Sequence, residues 1–488
     1  MIAVHPSFLT PTLEDGPLAF FRCAAGSLLL GQLAWTLPHA RRYFLGKRWG
    51  GYGQSSPFVA LGHHPWLCPV VMLLWAASAT GLTLGCWTVP AAFINVVLCR
   101  YFFVQMRWRG LLRGMGAPGF MTYWTACAVL LLELTRQHAP DVKSMALLVL
   151  QVDFALIMFT AGLAKLGAGY WHNQGMEFGL ANPQWGRWPQ VFQKLPPHHR
   201  FFRVANHLAW SGEIAAAVLL LVPATRTLGV ALLIASFLFI AVSIRLQFLP
   251  WMVMLVGVLY CQPGTLGAEV LAGANVLTPA AAGPGLLLNG WQSAVLATIL
   301  WGYLVLLPLT YAGLLRNFYI RRTLPARLQA ALDWYTNWCG IQLWRVFSAD
   351  HTHFFIQIYR VGRRGERNLL SRWGAGRFAQ VAEAITVTNL FMTLKYRPRD
   401  VQLFTDRLLH YAGTLPGAPD GLFIFEYVAL QKTGEGFAAA PGAEFVVDVA
   451  RGKVDEHALD GQVDPRSPLP CSPIHETTAA GSYAPARA

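Results

Sequence analysis

Arg22, Asp153, Lys165, Glu213 and Arg245 are charged residues standing within or beside stretches that are otherwise apolar. A charge carried to membrane depth is costly unless paired or hydrated, so such residues mark either packing or chemistry. Lys165 is the sharpest case. It sits near the end of the run Ala161-Gly162-Leu163-Ala164-Lys165-Leu166, with Trp171 and Met176-Glu177-Phe178 close behind. One reading is a lysine at a helix end that snorkels to the headgroups or favours the negative end of the helix dipole. The other is a desolvated amine that acts as a base. Asp153 lies about three helical turns earlier on the same predicted helix, too far to pair with Lys165. Glu213, in Trp210-Ser211-Gly212-Glu213, is placed to meet Lys165, Arg22 or Arg245 across a bundle, either as a packing carboxylate or as a proton-handling one.

These residues need helices to position them, and the composition supplies them. The 488-residue chain is 55% hydrophobic and 13% charged, with a mean hydropathy of +0.40, far from soluble averages. With roughly 20 apolar residues needed per crossing, apolar spans fall near residues 18–37, 66–86, 88–106, 119–135, 145–166, 204–223, 226–244, 248–262 and 285–314. The expected fold is an all-α polytopic membrane bundle of about nine spans followed by a small α+β soluble domain. Its expected divisions are a bundle over 1–322, an amphipathic interfacial segment over 323–344, a soluble domain over 345–457 and a disordered tail over 458–488. Leu324, Leu328, Leu332, Trp334 and Trp338 give the interfacial segment its apolar side. In the soluble domain, Phe354 to Tyr359, Leu422 to Leu430 and Glu444 to Val449 have strand composition, and Arg377 to Lys395 and Val401 to Tyr411 have helical spacing.

The formal charge of +14 reads first as topology, because the arginines flank apolar spans; nucleic acid is not an expected partner, and membrane lipids are. Arg41, Arg42, Lys47 and Arg48, then Arg107, Arg109 and Arg113, then Arg316, Arg321 and Arg322 mark cytoplasmic loops, leaving the N-terminus outside and the C-terminus cytoplasmic. A bacterial inner membrane is the expected location. No Lys or Arg precedes Arg22, so the first span is expected to be retained rather than cleaved as a signal peptide. The eight cysteines are scattered without metal-ligand spacing and read as small packing residues, and no metal is expected. His351-x-His353 places two imidazoles on one face if the segment is extended, either a pair of metal ligands or, as is more common, ordinary surface histidines. The long connection from Gly167 to Arg203, crowded with Trp171, His172, Trp185 and Trp188, is either a lid lying on the membrane beside Lys165 or a simple interfacial anchor.

Several of these pieces, taken in order, resemble the HTTM group of membrane proteins, whose best-known member is the vitamin K-dependent gamma-carboxylase. They are Leu18-Ala19-Phe20-Phe21-Arg22, the lysine segment with Trp171 and Met176-Glu177, Glu213 followed by Pro223 and Arg226, Pro250-Trp251-Met252-Val253-Met254-Leu255, and Trp344-Arg345-Val346-Phe347. The resemblance covers roughly residues 14 to 350 and is most specific at the lysine segment. It implies a lysine base at Lys165, with Glu213 and Arg22 as further candidate catalytic groups. It also implies a reduced quinone of the vitamin K or menaquinone type, enclosed with the help of Trp171, Trp185 and His172. The implied chemistry oxidises the quinol with O₂ to generate a base that carboxylates a glutamate. A protein substrate or partner would meet the C-terminal domain. The resemblance places the lysine on the lumenal or periplasmic face, opposite to the side given by the loop charges.

The chain departs from the carboxylases where they carry an Asn-His pair, reading Met121-Thr122-Tyr123-Trp124-Thr125. It departs again at Ser236-Phe237-Leu238-Phe239, where many relatives have a histidine. The second function class is therefore a non-catalytic HTTM-type subunit that holds a lipid or a partner protein.

Overall fold

The computed structural model describes residues 10–40, 42, 64–105, 116–136, 140–273, 289–320, 324–341, 343–344, 350–396, 398–418, 421–459 and 464–466. Arg41, Lys47, Arg48, Arg107, Arg109, Arg113, Arg321, Arg322, Arg345, Val346, Phe347 and most of the tail beyond 458 lie outside the described residues. The chain forms two compact units, each drawn from separated stretches of sequence.

The first unit comprises Met1–Leu163, Leu208–Tyr311 and Asn337–Trp344. Its helices are α1 (Asp15–Thr36), α2 (Leu67–Leu84), α3 (Thr88–Cys99), α4 (Gly116–Thr135) and most of α5 (Pro140–Gly167). After the second unit's first stretch come most of α8 (Arg200–Leu221), α9 (Arg226–Ser243), α10 (Leu249–Val256), α11 (Leu266–Gly273) and most of α12 (Gly290–Ile320). Six helices are long and apolar enough to cross a membrane, those beginning at Asp15, Leu67, Asp141, Arg200, Pro223 and Gly290. Three shorter apolar helices span Thr88–Phe103, Gly119–Thr135 and Leu249–Tyr260. The outer surface of this unit is apolar: Leu73, Phe93, Ile299, Val305 and Leu309 are exposed. Its interior holds Arg22, Glu133 and Asp153, all buried. An outer surface of exposed apolar side chains, with these charges held inside, suits hydrocarbon, not water. The six apolar helices fit an integral membrane protein.

Small residues set the closest crossings, as expected where helices pack without a hydrophobic drive between them. A Cβ on Gly26 of α1 would stand 2.8 Å from the Ala79 carbonyl oxygen of α2. One on Gly162 of α5 would stand 2.7 Å from the Trp210 carbonyl oxygen of α8.

The second unit comprises Ala164–His207, Ala312–Thr336 and Arg345–Ala488. Its core is a five-stranded antiparallel sheet in the order β2-β1-β3-β4-β5, formed by β1 (Phe354–Val361), β2 (Arg367–Leu369), β3 (Leu422–Lys432), β4 (Phe437–Asp448) and β5 (Lys453–Ala458). Two helices, α14 (Val381–Tyr396) and α15 (Val401–Ala412), cover one face. The register puts Ile358, Phe425 and Phe445 in one row across three strands. Phe391 of α14 packs on Phe425, Tyr427 and Phe445, Phe404 of α15 on Phe445, and Tyr411 on Phe425. The strand and helix compositions read from the sequence thus mark the main elements of this domain, while the short polar strands β2 and β5 carry no such signal. Between α12 and the sheet, α13 (Ala326–Cys339) leaves Leu328, Trp334 and Trp338 exposed. Two short helices, α6 (Met176–Ala181) and α7 (Pro189–Phe192), belong to the connection between α5 and α8.

Candidate functional site

Lys165 lies in the last turn of α5, where its carbonyl accepts the Ala168 N–H at 3.0 Å. Its side chain is only 5% exposed, so the ammonium does not reach out as a snorkelling lysine would. Two residues on, Gly167 permits close packing: a Cβ there would fall 2.7 Å from the Tyr319 ring. Gly169, at φ +99°, ends the helix in a left-handed turn that only glycine adopts freely.

The connection that follows is built into the second unit by buried polar contacts. Glu177 is fully buried at the start of α6. Its Oε2 accepts the Gly175 N–H at 2.9 Å and the Asn206 amide at 2.8 Å. Its Oε1 pairs with Lys432 Nζ at 2.8 Å. Asn206 in turn accepts the Met176 N–H at 2.8 Å, and the Lys432 ammonium lies 4.8 Å from the Phe178 ring centre. A buried carboxylate with three donors, one of them a cation, is well satisfied, which is the condition for keeping a charge out of water.

A second set of contacts fixes the middle of the connection. The Asn182 amide donates to the Thr352 and Phe354 carbonyls at 2.8 and 2.7 Å. The Gln184 amide donates to the Ala384 carbonyl and the Thr388 hydroxyl of α14, both at 2.7 Å. The Trp185 indole donates to the His351 carbonyl at 3.1 Å, and the Phe437 N–H donates to the Gln193 carbonyl at 2.9 Å. Gly186 has no room for a side chain, since a Cβ would stand 2.1 Å from the Leu180 carbonyl oxygen.

The aromatic residues expected to enclose a quinone are treated differently. Trp185 is buried, while Trp171 and His172 are exposed, Trp171 lying edge-on to the His207 ring at 5.7 Å. His353 is buried against the Phe178 ring at 4.0 Å; the reading of His351-x-His353 as surface residues is corrected for this member, because the connection covers it. Among the described residues no group of three His, Cys, Asp or Glu side chains has metal-holding geometry.

The other charged candidates belong to the first unit. Arg22 donates to the Leu82 carbonyl at 3.1 Å and meets Glu133 at 3.4 Å. Glu133 also accepts the Thr88 hydroxyl at 2.7 Å, and Arg136 approaches it at 3.9 Å. Sequence reasoning did not single out Glu133, although a carboxylate within the 119–135 span is a signal for it; the folded helices identify it as the partner of Arg22. Asp153 has no cation beside it among the described residues. Its Oδ2 accepts the Trp124 indole N–H at 2.9 Å and the Tyr303 hydroxyl at 3.0 Å, and its Oδ1 is buried without a hydrogen bond. Glu213 is buried on α8, and Arg245 is half-buried after α9. The expected site residues therefore divide: Lys165, Trp171, His172 and Trp185 in the second unit, Arg22 and Glu213 in the first.

No family model, curated protein or solved structure matches the chain.

Proposed function

We propose that the protein is an integral membrane enzyme that acts on a lipid-soluble quinol, with Lys165 as its base. The burial of the Lys165 side chain carries this reading, because a lysine kept only to mark a helix end would extend to water. A reduced quinone of the vitamin K or menaquinone type would supply the electrons that reduce O₂ and thereby drive carboxylation of a glutamate. The residues present fit such a ring in part. Trp171 and His172 offer exposed rings, whereas the Trp185 N–H is committed to the His351 carbonyl, leaving only its ring for stacking. In this reading Lys165 Nζ accepts a hydroxyl proton, and Arg22 and Glu213 serve as charged groups of the bundle.

The six long and three short apolar helices together support nine crossings. The basic loops support an N-terminus outside and a cytoplasmic C-terminus in a bacterial inner membrane, and the C-terminal unit is the surface for a protein substrate.

A second reading, a non-catalytic subunit of the same membrane group that holds a lipid or partner protein, is favoured by the engagement of Glu177, Asn182, Gln184 and Asn206 in scaffold contacts. The two readings separate in one assay. Purified protein in nanodiscs is given reduced menaquinone or vitamin K, and O₂-dependent oxidation is followed for the parent and for Lys165→Met. The enzyme reading expects turnover that the variant loses by at least about a hundredfold while remaining folded, the scale of a general base. Absence of turnover in both folded proteins sinks it and leaves the subunit.

A further inference from the structure

Between Glu177 and Glu213 the chain has no Asp or Glu, yet it has Arg187, Lys194, Arg200 and Arg203. The packing sorts this stretch into two sides. Asn182, Gln184, Trp185 and Phe202 are buried in the second unit, while the four basic residues are exposed together with Trp188 and Val191. Lys194, Arg200 and Arg203 have no carboxylate partner among the described residues. Arg200 opens α8 and Arg203 follows in its first turn, and α8 is one of the six helices long and apolar enough to cross a membrane. The first turn of a crossing helix lies at headgroup depth. A surface there that joins unpaired cations to an exposed tryptophan and valine has the composition of an interfacial contact.

We infer that residues 187–203 form a docking surface for the anionic phospholipids of the bilayer in which α8 is embedded. Trp188 and Val191 enter the acyl boundary, and Lys194, Arg200 and Arg203 hold the phosphodiester headgroups. The occupant is a lipid and not a soluble polyanion, because the cations continue directly into a membrane helix and are joined by apolar side chains that a soluble anion leaves in water. This surface is independent of any chemistry at Lys165.

The full-length protein, purified in a non-ionic detergent, is titrated with phosphatidylglycerol and with phosphatidylcholine, and bound lipid is counted by native mass spectrometry. The parent is expected to prefer phosphatidylglycerol, and rising salt to erase that preference. Each cation at an anionic surface contributes about fivefold, so Lys194→Gln/Arg200→Gln/Arg203→Gln is expected to weaken phosphatidylglycerol binding at least about tenfold and leave phosphatidylcholine binding unchanged. Lys194→Arg/Arg200→Lys/Arg203→Lys, which keeps the charges, is expected to retain the preference. Equal affinity of the parent for both lipids, an unchanged preference in the neutralised variant, or displacement of the lipid by equimolar glycerophosphate or RNA each overturns the inference. The parent's own salt and lipid dependence decides the matter even if the neutralised variant does not fold.

Discussion

Lys432 reaches a carboxylate that has no access to water, and the energetics of that contact are asymmetric. Removing one partner of a buried pair leaves the other charged and unsolvated, a loss of about 3–5 kcal/mol for a fully buried cation. The Lys432 side chain is 25% exposed, so Lys432→Met is expected to cost less, about 2 kcal/mol after discounting for solvent. Glu177→Gln in the same background is expected to recover part of that loss, with a coupling on the order of 1 kcal/mol in a double-mutant cycle of detergent-solubilised protein unfolded by heat. Strict additivity would refute the pair as an energetic unit. Gly186→Ala tests the same connection sterically. The new methyl would meet the Leu180 carbonyl, which belongs to backbone and cannot swing away, and an overpacking loss of about 1–3 kcal/mol is expected in the same melts. Little of this was visible in the sequence. Glu177 was noticed only for its place after the lysine segment, because its partners Asn206 and Lys432 stand far away in the chain and ordinary polar residues leave no periodic signal. Asp153 was legible as a residue in need of a partner, but nothing in the sequence pointed to the indole of Trp124 and the phenol of Tyr303.

The helices were easier to read than the contacts between their side chains, since a bilayer demands long apolar runs and the chain writes them plainly. Their crossings were not legible, because Gly26 and Gly162 look like any other glycine until a neighbouring backbone stands within 3 Å. Gly162→Val is expected to force α5 away from Trp210 and Ile214 and to lower the temperature at which the solubilised protein aggregates, read by size-exclusion chromatography after a heat challenge. A Gly162→Ala variant should show a smaller shift in the same direction. Among the strands, Tyr359 makes a separate prediction. Burial and the neighbouring Glu426 carboxylate push its phenol up to about 12. A folded value above the unfolded one of about 10 means that the folded form keeps its proton longer. Stability is unaffected below about pH 10 and falls as the pH rises from there toward 12. In ultraviolet difference titrations, Tyr359→Phe should remove one tyrosine from the late-titrating fraction together with its part of the alkaline loss.

For the whole molecule, the informative fact is that the soluble-looking domain is incomplete in sequence: its unit includes Ala164–His207, which lies between two membrane helices. The sequence suggested a boundary near residue 345 because composition changes there, and composition cannot register that Asn182 and Gln184 satisfy groups on β1, α14 and the turn before them. A fragment of residues 345–466 is therefore expected to lack a cooperative unfolding transition, having exposed Phe437, Leu430 and the Thr352 and Phe354 carbonyls to water. Joining residues 168–203 to it through a flexible linker should restore the transition in circular dichroism melts. Cooperative melting of the shorter fragment would show that the connection only decorates a finished domain. The same arrangement imposes a delay during synthesis. Glu177 and Asn206 leave the ribosome long before Lys432 exists, and at about 5–20 residues per second the wait is roughly ten to fifty seconds. Throughout it, a carboxylate destined for complete burial lacks the cation that pairs with it in the folded protein, so the timing of translation is part of how this protein is assembled.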